Sequence, residues 1–212
     1  MMKLTKGKML ALLVRLLIVV LGVGLVGTAI ALLNLAQLGC DPITVLPDGL
    51  AHTFPVMSLG NWLIVVNLVC LVVLLVFDRK MIGIGTVISM FGVGTTINLM
   101  TPVLAPLVTA ASPMWIRAVV SLLGTLLMAF GISLYIAPRL GTGSVDGVSI
   151  ILAARTGWQH RFVRVGTDIA FIVAGWLLGG VFGLGTVLCA LFTGPLIALY
   201  NRFTEKLVKP LL

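Results

Sequence analysis

The chain has 212 residues, 60% of them hydrophobic and 9% charged, with a formal net charge of +8 and a mean hydropathy of +1.22. That composition excludes an ordinary water-soluble domain, whose surface carries far more charge. It does not favour nucleic acid as a partner either, because the basic residues are spread over four short segments instead of one face; attraction to anionic lipid accounts for them.

A bilayer core about 30 Å thick needs roughly 20 apolar residues per helix, and six runs approach or exceed that length: 9–35, 61–77, 82–104, 115–137, 165–181 and 183–200. Unpaired backbone in hydrocarbon costs several kcal/mol per group, so such runs are helices and the fold is all-α. The first run follows Lys3, Lys6 and Lys8 as a signal peptide would. It is too long and lacks a small-residue cleavage site, so it is read as span one. Arg15 lies six residues into it, where it either snorkels to headgroups or holds an anionic group.

After span one comes Gly39-Cys40-Asp41-Pro42, then a half-apolar stretch ending at Phe54-Pro55. Glycine permits an irregular turn, Pro42 suits the first turn of a helix and Asp41 can cap it. A break followed by a short helix is expected, either re-entrant or lying at the interface. The second and third spans follow, the third opening on Gly83-Ile84-Gly85-Thr86. No strand precedes that motif and no phosphate-binding lysine follows, so it is read as a close helix contact, not a nucleotide loop. Asn34, Asn67 and Asn98 are expected to tie helices together.

The fourth run has Arg117 two residues inside it and is followed by Gly141-Thr-Gly-Ser144-Val-Asp146-Gly147 and a short apolar stretch, a second break in which Ser144 can cap. Asp168 lies early in the fifth run, as an ion pair with Arg164 or Arg15, or as a coupling or substrate group. The sixth opens on Gly183-Leu184-Gly185-Thr186. Cys40, Cys70 and Cys189 have neither metal nor redox spacing, and no cofactor is expected.

Much of this is said twice. A shift of 102 residues sets Arg15 on Arg117, Gly22 on Gly124, and Leu38-Gly39 on Leu140-Gly141, and a shift of 100 sets Gly83, Gly85, Thr86 and Gly94 on Gly183, Gly185, Thr186 and Gly194. The chain is read as one transmembrane domain, 1–212, built of repeat one at 9–104 and repeat two at 115–200. Three spans per copy would place the copies in opposite senses. Spans three and six are expected to meet at the pseudo-twofold axis.

Twelve of the 14 Lys and Arg residues fall in alternate segments, while 36–59 and 105–114 carry none. Under the positive-inside rule both termini are cytoplasmic. The Gly-rich break with Asp, the apolar span and the Gly-x-Gly-Thr span together resemble the YczE/YyaS/YitT family of bacterial integral membrane proteins. The resemblance covers nearly the whole chain, most specifically at 140–147 and the two Gly-x-Gly-Thr motifs. It implies a multi-span protein of the bacterial inner membrane and implies no particular activity.

The expected function is a small secondary transporter or permease for a small polar or anionic solute, alternating between two inverted repeats. Its candidate binding residues are Asp41, Ser144, Asp146, Asp168, Arg15 and Arg117. A substrate-binding subunit of a multi-component transporter and an accessory membrane protein remain as alternatives, with a homo-oligomer or a partner membrane protein open. An enzyme is not expected, since the two histidines, His52 and His160, fall on opposite faces and no nucleophile, base and orienting group come together.

Overall fold

The computed structural model describes residues 6–79 and 82–209, so Lys3 and Lys80, two of the residues behind the expected orientation, lie outside it. Among the described residues the chain forms eight α-helices: α1 (Lys6–Ala36), α2 (Pro42–Thr53), α3 (Leu59–Phe77), α4 (Ile84–Leu104), α5 (Met114–Ile136), α6 (Ser144–Thr156), α7 (His160–Leu177) and α8 (Leu184–Val208). Five of these, α1, α3, α4, α5 and α8, are long and apolar enough to cross a membrane. The run expected at 165–181 begins earlier, as α7, and is not one of the five; Arg161, Arg164 and Asp168 on its first turns lower its apolar character. Leucines and valines such as Leu13, Leu17, Val69, Val72 and Leu123 point outward, as side chains facing lipid do.

Both breaks form where expected. After α1 the backbone turns through left-handed Gln37 (φ 52°) and Gly39 (φ 102°), and after α5 through Arg139 (φ 54°) and Gly141 (φ 140°). A left-handed residue stops the helix, and the last carbonyls of a helix have no partner in its own ladder. Those carbonyls are taken by arginines from the other half of the chain. Arg117 donates from Nε to the Ala36 carbonyl at 2.7 Å and from Nη2 to that of Gln37 at 2.8 Å, while Arg15 donates from Nε to the Pro138 carbonyl at 3.2 Å.

α1 and α5 form the centre and run antiparallel. Gly22 lies against Gly131 and Tyr135 at one end of the contact, and Gly124 against Ala29 and Leu33 at the other. α4 packs beside α1 through Gly27 on Val93 and Thr96, and Gly92 on Val23. α8 packs beside α5 through Thr125 on Cys189, and Ser133 on Asn201 and Thr204. Their buried face is mainly Val19, Val23, Val26, Ile30, Leu33, Ile97 and Met128.

Among the described residues α4 and α8, expected to meet, make no extended contact, and the central contact is α1 on α5. The Gly-x-Gly-Thr glycines are engaged elsewhere. Gly85 donates its N–H to the Leu140 carbonyl at 2.9 Å, and Gly185 to that of Leu38 at 2.7 Å. A Cβ on Gly183 would lie 2.5 Å from the same Leu38 carbonyl. Each motif therefore cradles the break that follows the central helix of the other half.

The remaining helices, α2, α3, α6 and α7, form a second bundle. α2 lies along α7 with Gly49 and Gly175 in backbone contact, α6 lies along α3 with Gly147 on Leu74, and α2 touches α3 as α6 touches α7. The molecule is thus two four-helix bundles, each with two helices from each half of the sequence. Between the bundles the one extended helix contact is α3 on α4, where Gly60 meets Gly94 and Asn98 donates from Nδ2 to Asn61 Oδ1 at 2.8 Å. Its counterpart, α7 on α8, makes no extended contact, and Gly194 faces open space.

Candidate functional site: a cavity between the two bundles

A cavity of about 570 Å³ lies between the bundles and takes lining residues from all eight helices. Both short helices begin at it. Asp41 is the N-cap of α2, with Pro42 in its first turn; Gly143 is the N-cap of α6, so Ser144 opens that helix instead of capping it. The Ser144 hydroxyl donates to Asn67 Oδ1 at 2.6 Å, fixing the start of α6 against α3.

The cavity has two unlike faces. α1, α4, α5 and α8 present mostly aliphatic side chains, among them Val26, Ile30, Val93, Met128, Ile132 and Ile197. The other bundle presents Asp41, Asp146, Arg164 and Asp168. Arg164 pairs with Asp146 through Nη1 and lies 3.2 Å from Asp168 Oδ1 through Nε. The second contact is an ion pair within α7, between residues four apart. Asp168 therefore pairs with Arg164, one turn before it, and not with Arg15.

Asp41 differs from the other two carboxylates. It accepts a hydrogen bond from the Thr44 hydroxyl, a neutral donor, and among the described residues it has no ion-pair partner. At the end of the cavity the exposed His160 and Arg161 complete the lining, and the Arg161 guanidinium lies over the ring of Phe162, 4.6 Å from its centroid.

Four of the six sequence-predicted site residues, Asp41, Ser144, Asp146 and Asp168, line this one cavity; Arg15 and Arg117 do not, being bound to main-chain carbonyls at the breaks. Arg164, which joins two of the carboxylates, was expected only as a partner of Asp168. Asp48 was missed. It is buried in α2, accepting from Asn34 Nδ2 at 3.0 Å and from the Val181 backbone N–H at 2.8 Å, with His52 Nδ1 3.7 Å away. It fastens α2 to α1 and to the turn before α8. Its signal was the Asp48/His52 pair at i, i+4, an ion-pair spacing.

Among the described residues, eight helices, five of them apolar enough to span, surround a mainly apolar cavity with one charged wall, the make-up of a multi-pass membrane protein. Within that class the chain belongs to a family of unknown function, DUF6198, which matches residues 13–202. It is 31% identical to an uncharacterized protein of Haemophilus influenzae over 192 residues, 90% of this chain and 84% of that one. It is 29% identical to the uncharacterized membrane protein YczE of Bacillus subtilis over 138 residues, 65% of this chain and 62% of YczE. The uncharacterized protein YyaS of the same organism is 21% identical over 191 residues, 88% of this chain and 92% of YyaS. The YczE and YyaS part of the resemblance is thereby found, and these matches do not extend to YitT. No solved structure matches the chain significantly.

Proposed function

We propose that the protein is a small secondary transporter of the bacterial cytoplasmic membrane, with both termini cytoplasmic and with α7 as a sixth, more polar span. The observation that carries this reading is the cavity between two bundles that are packed together at α3 and α4 and parted at α7 and α8. A binding site sealed on one side and open on the other is the arrangement alternating access requires.

Inverted repeats at 9–104 and 115–200 fit the same reading. α1 and α5 are antiparallel, and the exchanged contacts of Arg15 with Pro138 and Arg117 with Ala36 relate the halves reciprocally. Both short helices start at the cavity, which favours re-entrant half-helices over interfacial ones. Because each half is divided between the bundles, the moving bodies are the bundles, not the repeats. Rocking one on the other would part α3 from α4 and close α7 onto α8.

A cysteine in the cavity tests this. Thr193→Cys, in a chain whose native cysteines are replaced by alanine, should react with membrane-impermeant thiol reagent from the cytoplasmic face of oriented vesicles. It should also react from the other face in a fraction of molecules. Labelling from one face alone under every solute and ion condition would count against a carrier.

A further inference from the structure

We propose that the cavity binds an amphipathic organic cation, a protonated amine or quaternary ammonium on a compact hydrocarbon body, with Asp41 as its counter-charge. This rests on the carrier reading and replaces the expected polar or anionic solute.

The charge balance points to a cation. The cavity wall carries three carboxylates, Asp41, Asp146 and Asp168, against two guanidiniums, of which Arg164 is already engaged by two of the carboxylates and Arg161 stands at the exposed end. Arg161 lies over Phe162 at the exposed end. With more carboxylates than guanidiniums on its wall, the cavity complements a cation better than an anion. Asp41, half-buried at the cavity, accepts from a neutral hydroxyl and has no ion-pair partner among the described residues, so a ligand cation has a place beside it. Nor can Arg164 leave Asp146 and Asp168 for Asp41 without stranding two carboxylates.

The shape of the charge distribution gives the rest of the ligand. Every carboxylate stands on α2, α6 and α7, and the facing wall of α1, α4, α5 and α8 is chiefly aliphatic. A solute with a cationic head toward the first bundle and hydrocarbon toward the second complements both. A cavity of 570 Å³ is in the range of small-molecule sites.

The test uses two probes of like shape and opposite charge, tetraphenylphosphonium and tetraphenylborate, titrated calorimetrically into the full chain in uncharged detergent. The phosphonium should bind and the borate should not. Asp41→Asn should weaken phosphonium binding by about tenfold or more, and Asp41→Glu should largely preserve it. Gly194→Phe, whose new side chain begins in open space at the cavity wall, should also abolish binding while touching no carboxylate.

Borate binding as tight as phosphonium, no binding of either, or unchanged phosphonium binding in Asp41→Asn or in Gly194→Phe would overturn the assignment. If Asp41→Asn does not fold, the native chain's preference between the probes and the Gly194→Phe variant still decide. None of these outcomes touches the two-sided labelling at position 193, so the solute class and the carrier reading fail separately.

Discussion

Arginine deep in an apolar run reads equally well as a snorkelling side chain and as an anion ligand, and in the structure Arg15 and Arg117 are engaged in a third way. Each donates to carbonyls left unpaired where the opposite central helix ends, which turns a costly intramembrane charge into a lock. Hydrogen bonds from charged donors contribute roughly 1.5–3 kcal/mol, so Arg117→Met should lower stability by about 2 kcal/mol or more. Thermal unfolding in detergent reads that loss, and binding of the phosphonium probe should be unchanged in the fraction that remains folded. Charge on one side of a contact is visible in a sequence, but main-chain carbonyls are not. The carboxylates that line the cavity could therefore be singled out in the sequence, while the partners of the arginines could not. Asp48 went unnoticed for a related reason: its acceptor role is defined by Asn34 and by the backbone of Val181, 133 residues away.

At the scale of elements, two glycines that align in the sequence now stand in opposite situations. Gly94 is pressed against Gly60 and Ile64, and Gly194 meets nothing within 4 Å. Gly94→Ala should therefore overpack the α3–α4 contact, at a cost of about 1–3 kcal/mol. Gly194→Ala should be neutral or slightly stabilising, since alanine is the better helix former by about 1 kcal/mol. Denaturation of the two variants side by side checks both signs. The lengths and breaks of the helices were legible because apolar runs and Gly-Asp-Pro punctuation are local signals. The polar start of α7 blurred the fifth run, since Arg161, Arg164 and Asp168 face a cavity that no linear pattern reveals. The Gly-x-Gly-Thr motifs announced close approach correctly and their partners wrongly: the neighbours are Leu38 and Leu140, carbonyls of the breaks, and not each other.

For the whole molecule, the sequence duplication led toward two halves as the moving bodies, whereas contacts divide the chain into two bundles that cut across those halves. That division arises because each half sends its first and last long helices to one bundle and its short and middle helices to the other. The charged wall and the aliphatic wall of the cavity belong to different bundles, so under the proposed function a motion between bundles would alter solute contacts and couple binding to opening. The central claim is that the α3–α4 and α7–α8 contacts exchange. Two cysteine pairs in a chain otherwise free of cysteine measure this most directly: Asn61→Cys with Asn98→Cys across the packed side, and His160→Cys with Gly194→Cys across the open one. In native membranes under mild oxidation each pair should cross-link in part of the population. Locking the first with a disulfide should abolish cross-linking of the second when all four substitutions are combined. If the His160/Gly194 pair never forms a disulfide, or forms one equally well with α3 locked to α4, the bundles do not exchange and the carrier mechanism is wrong.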